Sequence, residues 1–264
     1  MGIRFWSSAL AGAVCASIGA CAHPAGHSAP IPTTTMTANT QRGASPLDGS
    51  TQLVLVVTPA WDSTSGTLRR YEREGTERWR QVGASVPVVV GTSGLGWDDA
   101  RPVPAGAAPI KREGDGRSPA GAFPIDTAFG FDIRQVVPWI RLPYVQLRTT
   151  TECVDDVRSA HYNTIVDRDS VPSVDWTSAE HMRAIDQYAF GMHVAYNAPP
   201  RAGRGSCIFL HIWKGPGSVT AGCTAMELDA LRELMGWVDP ARRPMLVQLP
   251  ASVLAELRDA WTLP

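Results

Sequence analysis

No run of Lys and Arg in the chain exceeds two residues, and 24 basic side chains stand against 25 acidic ones, for a formal net charge of -1. A protein that holds nucleic acid needs a basic face to meet the phosphates, so that partner class is excluded. No C-x-x-C pair occurs, and one His with one Cys does not fill a tetrahedral site. No metal and no cofactor are expected. There is also no internal repeat and no second apolar block with its own linker. What is abundant is turn chemistry: 24 Gly and 21 Pro punctuate short apolar runs. With 44% hydrophobic residues in 264 there is enough material for a core. Many short strands are favoured over long helices, and a mainly β, β-rich α+β domain is predicted.

The N-terminal 21 residues, "MGIRFWSSALAGAVCASIGAC", carry one early basic residue, Arg4, and then a small-sided apolar stretch too short for a membrane span. They read as an export signal. Ile18-Gly19-Ala20-Cys21 is similar to a bacterial lipobox, which would lipidate Cys21 and anchor the chain to a membrane; Ala20-Cys21-Ala22 fits ordinary cleavage equally. Both alternatives put the domain outside the cytoplasm, in the periplasm or cell envelope. Residues 22–49, rich in Ser, Thr, Pro and Ala, are expected to be a flexible tether, and residues 50–264 one domain.

Export permits disulfides. Cys15 and Cys21 belong to the leader, which leaves Cys153, Cys207 and Cys223. A Cys153–Cys207 pair with a free Cys223 is the simplest allocation, because the first two sit in strand-like segments and the third in a Gly-flanked turn. Three separate buried thiols is the alternative.

Continuous or alternating apolar runs predict strands at "TQLVLVVT", "TLRRYERE", "WRQVG", "VPVVVG", "YVQLRTTTECV", "MHVAYN", "CIFLHIW" and "PMLVQLP". Short strand pieces bracketed by turns are expected within "PIKREGDGRSPAGAFPIDTAFGF". A T-x-x-E box at Thr177 and Glu180, followed by Met182, Ile185 and Tyr188 on one face, predicts a helix over 177–190. Two more helices are expected at "ELDALRELMGWV" and "ASVLAELRDAW".

His211 ends an apolar strand and Cys223 follows a dozen residues later in "SVTAGCTAM". A thiol nucleophile needs a base and backbone donors for an oxyanion, and His211, Gly222 and the turn supply candidates. If Thr224 caps the next helix, with Glu227 completing the box, the helix dipole lowers the Cys223 pKa; a later cap weakens that effect. Two ordinary core residues is the competing reading of the pair. Lys111, Asp115 and Arg117, with Tyr162, Asn163, His193 and Asn197, either line a cleft or make structural hydrogen bonds.

"FLHIW" and "TAGCTAM", with "IKREGDGRSPAGAFPI" upstream, resemble the L,D-transpeptidase (YkuD-type) catalytic domain, over most of the chain after residue 50. The resemblance implies a β-sandwich with a few packed helices, Cys223 as nucleophile, His211 as base, the Ile212 backbone carbonyl as the third member, and oxyanion donors from Gly222 and Cys223. Trp213, Lys214, Ala221 and Thr224 would contact substrate. Two positions depart from the family's turn: Ala221 stands where a His usually precedes the Gly, and Ala225 where an Arg or Asn usually follows the Cys by two. His before Cys is the reverse of papain-like and NlpC-type order. The implied activity is acyl transfer on peptidoglycan stem peptides through a thioester. The alternatives are an L,D-carboxypeptidase at the same site and a non-catalytic peptidoglycan-binding envelope lipoprotein.

Overall fold

A computed structural model describes residues 45–264 apart from 105 and 107. The expected leader, with Cys21, and the tether up to residue 44 lie outside the described residues. The last residues assigned to the tether are packed: Leu47 is fully buried, Arg73 Nη2 donates to its carbonyl, and Ser45 Oγ donates to the Trp261 carbonyl at 2.8 Å.

Thirteen strands follow in chain order among the described residues: β1 Gln52–Thr58, β2 Ser65–Glu72, β3 Arg80–Val89, β4 Leu95–Trp97, β5 Ser118–Gly130, β6 Tyr144–Gln146, β7 Thr151–Val154, β8 Ile165–Asp167, β9 Ala179–His181, β10 Phe190–Val194, β11 Phe209–Ile212, β12 Thr224–Met226 and β13 Met245–Pro250. Helix α1 spans Leu228–Trp237 and α2 Ala251–Leu257. Eight strands pair in the order β10-β11-β12-β3-β2-β1-β13-β5, and β5 then pairs with β10, which closes the ring. The result is a mixed β-barrel, parallel at β1–β13 and β11–β12, and the expected sandwich is corrected accordingly. The physical reason is β5: at 13 residues it is long enough to pair with β13 through its first half and β10 through its second. The sequence's turn signals suggested that this stretch was broken into pieces, and it is one strand.

Alternation along β1 shows how the wall is built. Val54 and Val56 face a cluster to which all eight barrel strands contribute, including Leu68, Val88, Ile125, Met192, Leu210, Met226 and Leu246. That cluster is the barrel interior, and Leu231, Leu234 and Met235 of α1 pack into it. Leu53 and Leu55 face the other way, against Val247, Leu249 and Val253 of β13 and α2. Burial on both faces is why β1 reads as an unbroken apolar run.

The helix expected over 177–190 does not form. Glu180 instead pairs with Cys153 as part of β9, in a small sheet of order β8-β7-β9, and 3₁₀ turns follow at Met182–Ala184 and Asp186–Ala189. The supposed cap is used elsewhere: Thr177 donates both its backbone N–H and its hydroxyl to Asp156 Oδ2, at 2.9 and 2.8 Å. Tertiary pairing overrides a local pattern of modest strength.

Candidate active site

Residues 131–189 leave the barrel after β5 and return at β10; Val137, Ile140 and Leu142 join the interior cluster, while the later part of the stretch packs against the outward faces of β5, β11 and β12. Beneath them lies a third apolar cluster, formed by Phe129, Leu147, Cys153, Met182, Tyr188, Cys207, Phe209 and Cys223. Strand alternation places the site here. On β11, Leu210 faces the barrel interior, so Phe209 and His211 face outward. His211 pairs in register with Ala225 of β12, and Cys223 lies two residues before Ala225, on the same outward side.

Cys153 and Cys207 form a disulfide with Cα atoms 6.0 Å apart, while Cys223 is a free, buried thiol. This is the allocation favoured from sequence. The Cys207 backbone amide donates to Asn163 Oδ1 at 3.0 Å, which fixes the segment entering β11. That segment in turn holds the thiol: Phe209 N–H donates to Cys223 Sγ at 3.3 Å, and the thiol donates to the Cys207 carbonyl at 3.4 Å. The Cys223 carbonyl accepts from Ser118 Oγ at 2.8 Å and Thr220 Oγ1 at 2.6 Å. Gly222 packs so closely that a Cβ there would lie 3.1 Å from the Arg117 carbonyl.

His211 Nδ1 is 2.7 Å from the Ile212 carbonyl. A carbonyl only accepts, so Nδ1 carries the proton and Nε2 keeps its lone pair. The Tyr188 ring meets the imidazole edge to face at 5.2 Å between centroids. Burial pulls His211 down to about 4, with the Ile212 hydrogen bond opposing. Burial pushes the Cys223 thiol up, and the Glu180 charge adds to this, against favourable contributions from the Phe209 amide, the Tyr188 hydroxyl and Lys111. Both shifts favour a neutral thiol and a neutral imidazole over an ion pair. Of the two cap positions left open, the structure takes the later one: α1 begins at Leu228, with Glu227 as its cap accepting from the Asp229 and Ala230 amides, while Thr224–Met226 is strand, so the helix dipole acts only weakly on Cys223.

A cleft of about 200 Å³ opens over the pair, lined by Cys223, His211, Trp213, Lys214, Ala221 and Ala225 from the barrel side, and by Glu180, Ile185, Gln187 and Tyr188 from residues 131–189. Trp213, Lys214 and Ala221 thus stand where a substrate contact requires. Thr224 does not: the same alternation turns it inward, where its hydroxyl bonds Gln248 Oε1 at 2.6 Å. The Gly222 N–H is given to Thr220 Oγ1 at 3.2 Å, so it serves an oxyanion only after leaving that partner. Larger clefts of about 350 and 780 Å³ elsewhere hold neither a thiol nor an imidazole.

The remaining polar candidates make structural bonds. Lys111 Nζ pairs with Asp115 at 2.7 Å, Arg117 Nη1 donates to the Leu95 carbonyl at 2.9 Å, and the Tyr162 hydroxyl donates to Glu113 at 2.5 Å. Asn163 donates to the Tyr196 carbonyl at 2.9 Å, Asn197 to the Gly205 carbonyl at 2.9 Å, and His193 pairs with Asp126 at 2.8 Å. Sequence reasoning missed Glu180 and Tyr188 as cleft residues, because the helix pattern claimed both. Only the position of Tyr188, shortly before the strand that pairs with β11, hinted at its place.

No protein-family model and no curated protein sequence matches the chain.

Proposed function

We propose that the domain is a cysteine acyltransferase acting on peptidoglycan stem peptides, an L,D-transpeptidase in chemistry, exported to the cell envelope. The observation that carries the reading is the His211 Nδ1 to Ile212 carbonyl bond, which presents Nε2 as a base in the cleft that also holds the Cys223 thiol. Nε2 takes the thiol proton as Sγ attacks the carbonyl of an L-to-D peptide bond. The leaving D-residue receives that proton as its amine departs, and a thioester remains on Cys223. Lys214, exposed at the cleft mouth, and Trp213 offer a cation and an apolar wall to an anionic peptide. An amine acceptor completes transfer; water in its place gives an L,D-carboxypeptidase.

One observation favours the non-catalytic, peptidoglycan-binding reading: a thiol kept protonated by burial is a poor nucleophile at rest. The deciding experiment incubates the wild-type protein and Cys223→Ala with disaccharide-tetrapeptide and follows masses. Loss of the terminal D-residue with an amine-exchanged or cross-linked product, absent in the variant, supports the transferase. Hydrolysed tripeptide alone supports the carboxypeptidase, and no product with no acyl-enzyme mass leaves the binding protein.

A further inference from the structure

The cleft holds a carboxylate with which no cation of its lining forms an ion pair. Glu180 lines it beside Cys223, and its Oε2 accepts the Tyr188 hydroxyl at 2.6 Å. The ion pairs formed among the described residues are made with other carboxylates, and Glu180 has none within 4.0 Å, Lys214 standing exposed at the cleft mouth. The charges it feels are Asp155 and Glu113, both acidic. Asp155 Oδ1 is itself buried with no hydrogen-bond partner, and Glu113 receives only the neutral hydroxyls of Tyr162 and Ser206. Lys111, the cation that acts on the thiol, is occupied by Asp115 and the Arg112 carbonyl. Among the described residues no three His, Cys, Asp or Glu side chains are grouped to hold a metal ion. A carboxylate in such a place gains most from a ligand that brings one positive charge and N–H donors.

Its position says which part of the chemistry that ligand serves. The Tyr188 hydroxyl contacts both Glu180 and the Cys223 thiol, so a group held at Glu180 lies beside the sulfur. We propose that Glu180 docks the ammonium group of the acceptor amine next to the thioester on Cys223 and takes its first proton, directing the site toward aminolysis over hydrolysis. This rests on the acyl-transfer reading above. The ammonium gives one proton to the Glu180 carboxylate; the nitrogen lone pair then forms the new C–N bond at the thioester carbonyl. The C–S bond breaks, and the second proton passes from nitrogen through His211 Nε2 to the departing Cys223 sulfur. The third stays on the amide. Burial and the two acidic neighbours raise the Glu180 carboxyl to about 7, which suits it to receive that proton.

The test has two arms. Full-length Cys223→Ala, which cannot react, is titrated calorimetrically with Nα-acetyl-lysine amide and with its uncharged analogue Nα-acetyl-norleucine amide. The lysine compound should bind roughly tenfold or more tightly, and Glu180→Gln on the same background should abolish the difference. In the second arm, pre-formed acyl-enzyme is offered the lysine compound, and the ratio of amide to hydrolysed product is read, a ratio independent of how fast acyl-enzyme forms. Glu180→Gln should lower it roughly tenfold or more. Equal binding of the charged and uncharged compounds overturns the proposal, and this measurement needs no Glu180 variant to fold. Acyl-enzyme that forms normally but partitions alike with Glu or Gln at 180 also overturns it, while leaving the transferase reading intact. Absence of acyl-enzyme in the wild type defeats that reading instead.

Discussion

Reducing the Cys153–Cys207 bridge should both loosen the domain and disturb the buried Cys223 thiol. The two cysteines are 54 residues apart in sequence. Closing a loop of that length in the unfolded chain removes entropy worth about 4 kcal/mol at 25 °C on the chain-entropy account. For a domain of this size each kcal/mol moves the midpoint by roughly 2–4 °C, so Cys153→Ser/Cys207→Ser should melt roughly 8–16 °C lower. The bridge also holds the carbonyl that receives the Cys223 thiol and the amide bonded to Asn163. The assay is differential scanning calorimetry of wild type and double variant, paired with the rate of iodoacetamide capture at Cys223. The variant should expose the thiol and alkylate faster. A midpoint within 2 °C of wild type, or unchanged Cys223 capture in the folded variant, would refute the claim that the bridge braces the site.

His211 should make the fold acid-sensitive. Its pKa in the folded state, about 4, lies below the ordinary 6.5, so the unfolded chain binds the extra proton; stability is whole above pH 6.5 and is lost as pH falls through 4. The difference in unfolding free energy between wild type and His211→Gln should fall by up to about 3 kcal/mol from pH 7.5 to 4, and a difference flat in pH contradicts it. At pH 8 the native Cys223 thiol should alkylate more slowly than the same cysteine in urea, and Glu180→Gln should speed it, since the Glu180 charge disfavours thiolate; faster capture in the native state would count against the burial argument. Gln248→Leu should cost about 1–3 kcal/mol by chemical denaturation, because it leaves Thr224 Oγ1 and the Pro119 carbonyl buried without their partner. A neutral result would mean that the barrel interior admits water there.

The elements that depend on local pattern were legible in the sequence. Apolar runs marked β1, β11 and β13, and the spacing of Leu231, Leu234 and Met235 marked α1. Closure was not legible. Val54 and Val56 announce a buried face, but the same alternation suits a sandwich or a barrel, and only the Gly130–Phe190 end of the β5–β10 ladder decides between them. At the site, the strand-borne His and the Gly-flanked turn drew attention to His211 and Cys223, while the Ile212 carbonyl came only from the family resemblance. Thr224 went astray because it was placed at the substrate by its neighbourhood to Cys223; read as strand, the period of two that turns Cys223 and Ala225 outward sends it inward. Glu180 and Tyr188 were hidden because their partners, Cys153, Phe209 and His211, are remote in sequence.

The cleft is built from two stretches of chain that differ in what they owe the barrel. His211, Trp213, Cys223 and Ala225 belong to strands of the closed ring or to their immediate ends, so they inherit its rigidity. Glu180, Ile185, Gln187 and Tyr188 come from residues 131–189, which depart from Gly130 and rejoin at Phe190, two residues paired side by side. The first part of that stretch is tied to the barrel, through Val137, Ile140 and Leu142 in the interior cluster and β6 on β5, while the part that reaches the cleft is not a rung of the eight-stranded ring. The two walls of the cleft therefore come from different parts of the chain, and the Cys153–Cys207 bridge is the rivet that joins them. One wall can thus vary in shape while His211 and Cys223 keep their places on the ring.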